Sequence, residues 1–190
     1  MKVFIGCSAS NNIPLEYIDN CSILISELMK DNDLVFGACY SGLMGIAHDK
    51  AIENDRYITG ICPIAYIDDF KNLDCNEEMI ARTVGERTEK LIEESDALVF
   101  LPGGIGTVHE FFTALECKKC HEFDKPIVLY NSNGFYDGLI SFIEKQYTEK
   151  FLRKNELENC LVTDSVTEAI DYIENYKSLT TNIQRTRKLK

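Results

Sequence analysis

The chain has 190 residues, of which 45% are hydrophobic and 27% are charged, as expected for one globular domain with a sizeable core. A net charge of −11 argues against a general nucleic-acid-binding protein, because such proteins need clustered Lys and Arg to contact phosphates. The apolar runs are shorter than the roughly 20 residues of a membrane-spanning helix, so we expect a cytoplasmic protein with neither membrane nor nucleic-acid partners.

Short apolar runs alternate with amphipathic stretches along the chain. The predicted strands are 3–7, 34–36, 57–61, 80–84, 97–101, 126–130 and 161–163. The predicted helices are 15–29, 42–53, 86–95, 107–123, 136–147 and 166–176. This alternation predicts a Rossmann-like α/β fold, in which a parallel sheet has helices on both faces. We place this single domain at residues 1–177 and a basic, flexible tail at 178–190.

A Gly-rich turn follows the predicted strand 97–101. It reads Pro-Gly-Gly-Ile-Gly-Thr-Val-His-Glu over Pro102–Glu110. Glycines let the backbone approach an anion closely, and a helix N-terminus adds free N–H groups and partial positive charge. We therefore expect a phosphate to bind here, with Thr107 as the helix N-cap; a tight connection without a ligand is the alternative. The residues expected to contact the phosphate are Gly103, Gly104, Ile105, Gly106 and Thr107.

Glu110 lies one helical turn beyond these residues. The spacing Thr107-x-x-Glu110 is also that of a capping box, in which the Glu bonds to the N-cap amide, so a purely structural role stays open. Its position close to the sugar of a bound nucleotide instead favours a catalytic carboxylate. Arg87 lies in the first turn of a helix opened by the capping box Thr83-x-x-Glu86. We expect Arg87 to point into the same crevice, where it would bind the ligand or hold Glu110 ionised.

Two further turns are rich in small residues and also follow predicted strands. Ser8 could offer its amide and hydroxyl to a base or a phosphate, and Gly42 could permit the close approach of a ligand. Open α/β sheets bind ligands beyond the carboxyl ends of their strands, so these turns are expected at the same edge as the Gly-rich turn. Together they predict a crevice large enough for a nucleotide.

The eight cysteines are scattered through hydrophobic segments, as expected for reduced thiols in a core. Cys117 and Cys120 form the only closely spaced pair in the sequence. Zinc would require a second pair or suitably spaced histidines, and none follows. We expect no metal site.

The segment Pro102–Glu110 resembles the Pro-Gly-Gly-x-Gly-Thr-x-x-Glu signature of the Lonely Guy (LOG) family. Members are cytokinin riboside 5'-monophosphate phosphoribohydrolases, and their relatives were often mislabelled lysine decarboxylases. Arg87 stands at the separation from Glu110 that the family's essential Arg has, and the similarity runs from Val3 to about Leu139.

The resemblance implies a role in cytokinin biosynthesis: hydrolysis of an AMP-like nucleotide to the free base and ribose 5-phosphate. It also implies that no metal or cofactor takes part, and that the protein is a homodimer with its site near the subunit interface. Glu110 would stabilise the cationic sugar and activate water, while Arg87 would position the substrate.

Three segments depart from the family pattern. Arg87-Thr88 replaces the usual Arg-Lys pair, so Thr88 would take the place of that Lys in binding the substrate. Residues 37–39, Gly-Ala-Cys, replace three glycines, and Glu116 replaces a threonine. Two alternatives therefore stay open: a protein of the same fold that binds a nucleotide or phosphate-bearing cofactor without turnover, and a transferase that passes the sugar to another base.

Overall fold

The computed structural model describes residues 1–177, and these contain one sheet of seven parallel strands in the order β4-β3-β2-β1-β5-β6-β7. The strands are β1 (Lys2–Gly6), β2 (Asp33–Phe36), β3 (Ile58–Pro63), β4 (Glu77–Ala81), β5 (Ala97–Phe100), β6 (Ile127–Tyr130) and β7 (Leu161–Thr163). The predicted Rossmann-like α/β fold is confirmed. The predicted basic tail, 178–190, lies outside the described residues.

Helices cover both faces of this sheet. They are α1 (Leu15–Asp31), α2 (Gly42–Glu53), α3 (Val84–Glu93), α4 (Ile105–Lys119), α5 (Asp137–Thr148) and α6 (Val166–Glu174). The buried hydrophobic residues of α1, α2 and α6 belong to one apolar core, and those of α3, α4 and α5 belong to a second. Successive side chains of a strand point to opposite faces. Accordingly, β5 supplies Ala97 and Val99 to the first core, and Leu98 and Phe100 to the second.

Three elements near the candidate site have boundaries that differ from the prediction. The hydroxyl of Thr83 accepts a hydrogen bond of 3.1 Å from the Glu86 amide, so α3 begins at Val84, and β4 lies at Glu77–Ala81 rather than 80–84. Helix α4 begins at Ile105, two residues before the predicted start, and its N-cap is Gly104. The prediction of Thr107 as the N-cap is therefore wrong.

The strand order reverses at β1, which pairs with β2 on one side and with β5 on the other. The chain leaves β1 and β5 at the same edge of the sheet, because the two strands are parallel and Gly6 lies opposite Phe100. Ligands of open α/β sheets bind at such a switch point. Among the described residues, no helix combines the length and apolar character needed to cross a bilayer.

Candidate nucleotide-binding and active site

The Gly-rich turn after β5 is held by the turn after β1. The Leu101 amide donates to the carbonyl oxygen of Gly6 at 2.9 Å, and the Ser8 amide donates to that of Pro102 at 3.1 Å. The two turns that flank the switch point are thus fixed to each other by backbone hydrogen bonds.

The start of α4 presents free amides in front of this turn. The Gly104 carbonyl accepts the first helical hydrogen bond, 3.1 Å from the Val108 amide, so the amides of Ile105, Gly106 and Thr107 have no carbonyl partner within the helix. A Cβ added at Gly104 or Gly106 would meet no atom within 4 Å. Ile105 is 91% exposed, so its side chain extends into solvent. We therefore expect Ile105 to contact a ligand at the turn through its backbone amide. Free amides beside open space are the arrangement that an anion requires.

Gly103 and Thr107 pack against each other inside the turn. A Cβ at Gly103 would collide with the Thr107 hydroxyl, and Thr107 is buried at the third position of α4. The Thr107 hydroxyl therefore lies behind the first helical turn rather than at its N-cap. Gly103 is needed for this packing whether or not a ligand binds.

Arg87 and Glu110 form a largely buried ion pair between the first turn of α3 and the second turn of α4. Nη2 of Arg87 donates a hydrogen bond to Oε1 of Glu110, and the two side chains are 15% and 2% exposed. The structure therefore brings together the two residues singled out for catalysis. The N-cap of α4 is Gly104 and Thr107 lies inside the helix, so the alternative of a capping box with Thr107 does not form.

Burial raises the pKa of Glu110 to about 7, although Arg87 lowers it. The expected effect of Arg87 has the predicted sign, but the loss of hydration outweighs it. Burial therefore opposes the predicted role of Arg87 in holding Glu110 ionised. A carboxyl group with this pKa can accept and release a proton close to pH 7, as general acid–base catalysis requires.

The guanidinium of Arg87 retains hydrogen-bonding capacity. Within residues 1–177 its buried Nε has no hydrogen-bond partner, which costs about 1–3 kcal/mol for a typical buried donor. Nη1 lies 3.6 Å from the position that a Cβ on Gly37 would occupy, which is van der Waals contact, so the guanidinium packs against the turn after β2.

Gly42 and Ser8 connect loops at the edge of the crevice. Gly42 has a φ of +57°, and a Cβ there would lie 2.7 Å from the carbonyl oxygens of Ser8 and Ser10. Its amide donates to Oδ1 of Asn11 at 2.7 Å. The loop after β1 therefore occupies the space next to Gly42 in which a ligand was expected. The Ser8 hydroxyl accepts a hydrogen bond of 3.1 Å from the Ser10 amide. Ser8 also lines the cleft beside the Gly-rich turn.

Thr88 lies apart from the crevice. It is buried, and its hydroxyl donates to the Val84 carbonyl at 3.1 Å. That proton is used within α3, because a threonine hydroxyl has only one to donate. The geometry gives no support to the expected role of Thr88 in binding the substrate.

The cleft beside the Gly-rich turn has a volume of about 260 Å³. Four of its residues were not predicted to belong to a site: Ile13, Pro14, Tyr17 and Phe135. They come from the start of α1 and the segment before α5, and the rings of Tyr17 and Phe135 pack edge-on with 5.5 Å between centroids. Scattered apolar residues look like core residues in a sequence, so no local signal marks them.

Known proteins resemble this chain in both sequence and structure. A family model described as "Possible lysine decarboxylase" matches residues 44–173. The cytokinin riboside 5'-monophosphate phosphoribohydrolase LOG1 of Arabidopsis thaliana is 31% identical over 184 residues, which are 92% of this chain and 82% of that protein. The probable phosphoribohydrolase LOGL2 of Oryza sativa subsp. japonica is 30% identical, over 92% of this chain and 72% of that protein.

A solved structure shares the fold at lower identity. The molybdenum cofactor carrier protein of Chlamydomonas reinhardtii is 18% identical, with a TM-score of 0.67 over 91% of this chain and 95% of that chain. This likeness concerns the fold alone. The family model and the plant relatives together show that the chain belongs to the LOG family.

Proposed function

We propose that the protein hydrolyses the N-glycosidic bond of an AMP-like nucleoside 5'-monophosphate, giving the free base and ribose 5-phosphate. The observation that carries this proposal is the buried Arg87–Glu110 pair one helical turn beyond open, unpaired amides. Relatives named as phosphoribohydrolases support the reaction class.

The 5'-phosphate would bind at the start of α4. The amides of Ile105, Gly106 and Thr107 point towards the open space there, and the helix dipole adds partial positive charge. Binding energy gained at this remote group orients the sugar against Glu110. A nucleoside without the phosphate is therefore a poor substrate.

Glu110 would act at the anomeric carbon. As the bond from C1' to the base nitrogen breaks, its electron pair leaves with the base, which takes up a proton, and positive charge develops on the sugar. The carboxylate stabilises this charge and takes a proton from the water that forms the new bond to C1'. A pKa of about 7 suits both the uptake and the release of this proton.

Arg87 would position the substrate. The Arg87 side chain is 15% exposed, so its exposed part can donate a hydrogen bond to a hydroxyl or phosphate oxygen of the nucleotide. Its Nη2 already bonds to Glu110. Arg87 therefore connects the bound nucleotide to the carboxylate that acts on it.

We extend the proposal to a homodimer that covers the mouth of the site. Val84 and Ile105 are the first residues of the helices that carry Arg87 and Glu110, and they are 51% and 91% exposed. Phe112, further along α4, is 38% exposed. Exposed apolar side chains around a site are typical of interaction surfaces, and a second copy would bury them and exclude water.

The test uses purified protein, a panel of nucleoside 5'-monophosphates and chromatography of the released base. Glu110→Gln is expected to lower the rate by about 10²–10⁴-fold while nucleotide still binds. Glu174→Gln, an exposed carboxylate on the other face of the sheet, is the matched control with an unchanged rate. Binding without release of base from any nucleotide would identify a binding protein instead, and equal turnover of free nucleosides would refute the role of the phosphate.

A further inference from the structure

Tyr136 is a buried residue directly behind the Gly-rich turn. Only 3% of it is exposed, and its hydroxyl donates a hydrogen bond of 2.7 Å to the carbonyl oxygen of Leu101. Burial raises the pKa of this hydroxyl, and the backbone of Gly103 beside it lowers that pKa. The phenol oxygen therefore lies close to the backbone on both sides of Pro102.

The loop after β6 holds Tyr136 in place. The Tyr136 amide donates to Oδ1 of Asn131 at 2.7 Å, and Nδ2 of Asn131 donates to Oδ1 of Asp137 at the same distance. The ring of Phe135 packs edge-on against that of Tyr136, with 4.8 Å between centroids. Because the tyrosine is fixed at its backbone, its ring and its hydroxyl, it ties the Gly-rich turn to the neighbouring strand.

Gly103 packs behind the start of α4, because a Cβ there would collide with the Thr107 hydroxyl. The amides of Ile105, Gly106 and Thr107 lack carbonyl partners in α4. An anion would therefore bind to the helix start, and we expect the Gly103 amide to donate to the Tyr136 hydroxyl rather than to the anion.

We propose that Tyr136 is a positioning residue for phosphate binding, whose hydroxyl fixes the backbone from Leu101 to Gly103 so that the amides of α4 converge on the phosphate. This inference rests on the phosphate site of the proposed function but not on hydrolysis. A tyrosine that only stabilised the fold would affect all ligands alike, whereas a positioning residue affects ligands that carry a phosphate.

The first test compares Tyr136→Phe with the intact protein by calorimetric titration of ribose 5-phosphate and of adenosine. Loss of one buried hydrogen bond at the turn is expected to weaken ribose 5-phosphate binding about tenfold, with adenosine binding unchanged. Tyr176→Phe is the matched control, because it removes a phenol hydrogen bond to Asp124 away from the turn. Unchanged affinity for ribose 5-phosphate, or an equal loss for both ligands, would overturn the proposal.

The second test needs no substitution and keeps the proposal falsifiable if Tyr136→Phe fails to fold. Amide hydrogen exchange is followed by NMR in the intact protein, with and without ribose 5-phosphate. We expect Gly103 to be protected in both states, and Ile105, Gly106 and Thr107 to gain protection when the ligand binds. Gly103 exchanging freely without ligand would contradict the hydrogen bond to Tyr136. Because ribose 5-phosphate is not turned over, either result stands even if no nucleotide is hydrolysed.

Discussion

The substitution Gly106→Ala distinguishes a glycine that is required for folding from one that is required for ligand binding. Gly106 is the second residue of α4, and a Cβ there meets no atom within 4 Å. Gly138 is the second residue of α5, and the same is true of it. The two glycines are therefore matched in helical position and in free space, but only Gly106 lies at the proposed phosphate site.

The two substitutions should stabilise the free protein equally. Replacing Gly with Ala in a helix gains about 0.5–1 kcal/mol, mainly because the unfolded chain loses conformational freedom. For a domain of this size that raises Tm by about 1–4 °C. The Cα–Cβ bonds of a helix tilt towards its N-terminus, so the new methyl group of Gly106→Ala projects towards the bound phosphate. Displacing one charge-assisted hydrogen bond costs about 1.5 kcal/mol or more, which is at least about tenfold in Kd.

Calorimetry measures both quantities on the same samples. Thermal scans give Tm, and titration gives the Kd of ribose 5-phosphate. We expect both variants to melt at or above the temperature of the intact protein, and only Gly106→Ala to bind ribose 5-phosphate weakly. If Gly106→Ala binds as tightly as Gly138→Ala does, the phosphate does not rest on the first turn of α4.

Two further predictions concern stability. The pKa of Glu110 rises from its ordinary 4.5 to about 7 in the folded protein, so its contribution to stability is complete below pH 4.5 and is lost as pH rises through 7. Relative to Glu110→Gln, the free energy of unfolding should therefore fall by about 3 kcal/mol over that window. A difference between the two proteins that does not change with pH in denaturant titrations would contradict the raised pKa. His121 and Lys150 follow the ends of α4 and α5 with φ of +61° and +67°, and their amides donate to the carbonyl oxygens of Lys118 and Tyr147 at 3.0 Å. Because glycine adopts positive φ without steric cost, His121→Gly and Lys150→Gly should each stabilise the protein by about 1 kcal/mol in the same titrations. A lower unfolding midpoint for either variant would refute this prediction.

The sheet could be predicted because its signals are local. A run such as Ala97–Phe100 is apolar throughout and buried on both faces, which is typical of a central parallel strand. Thr83 forms the capping hydrogen bond that its spacing to Glu86 predicts. Thr107 has the same spacing to Glu110 and forms no such cap, because α4 begins at Ile105 and Thr107 is its third residue. Spacing alone cannot distinguish these two cases.

The parts of the candidate site that were missed come from distant segments. Tyr136 reaches the turn from 35 residues further along the chain, and Tyr17 meets Phe135 across the switch point. Neither residue stands in a pattern that marks a site. The raised pKa of Glu110 could not be predicted for a related reason: its partner Arg87 could be predicted from a motif, but the burial that outweighs this partner depends on the packing of the whole core.

The most direct measurement is a crystal structure of the Glu110→Gln protein with AMP bound. We expect the 5'-phosphate to accept hydrogen bonds from the amides of Ile105, Gly106 and Thr107. We also expect C1' of the ribose to lie against the side chain at position 110, with Arg87 donating to the nucleotide. A phosphate bound elsewhere, or a ribose turned away from position 110, would contradict the proposed function.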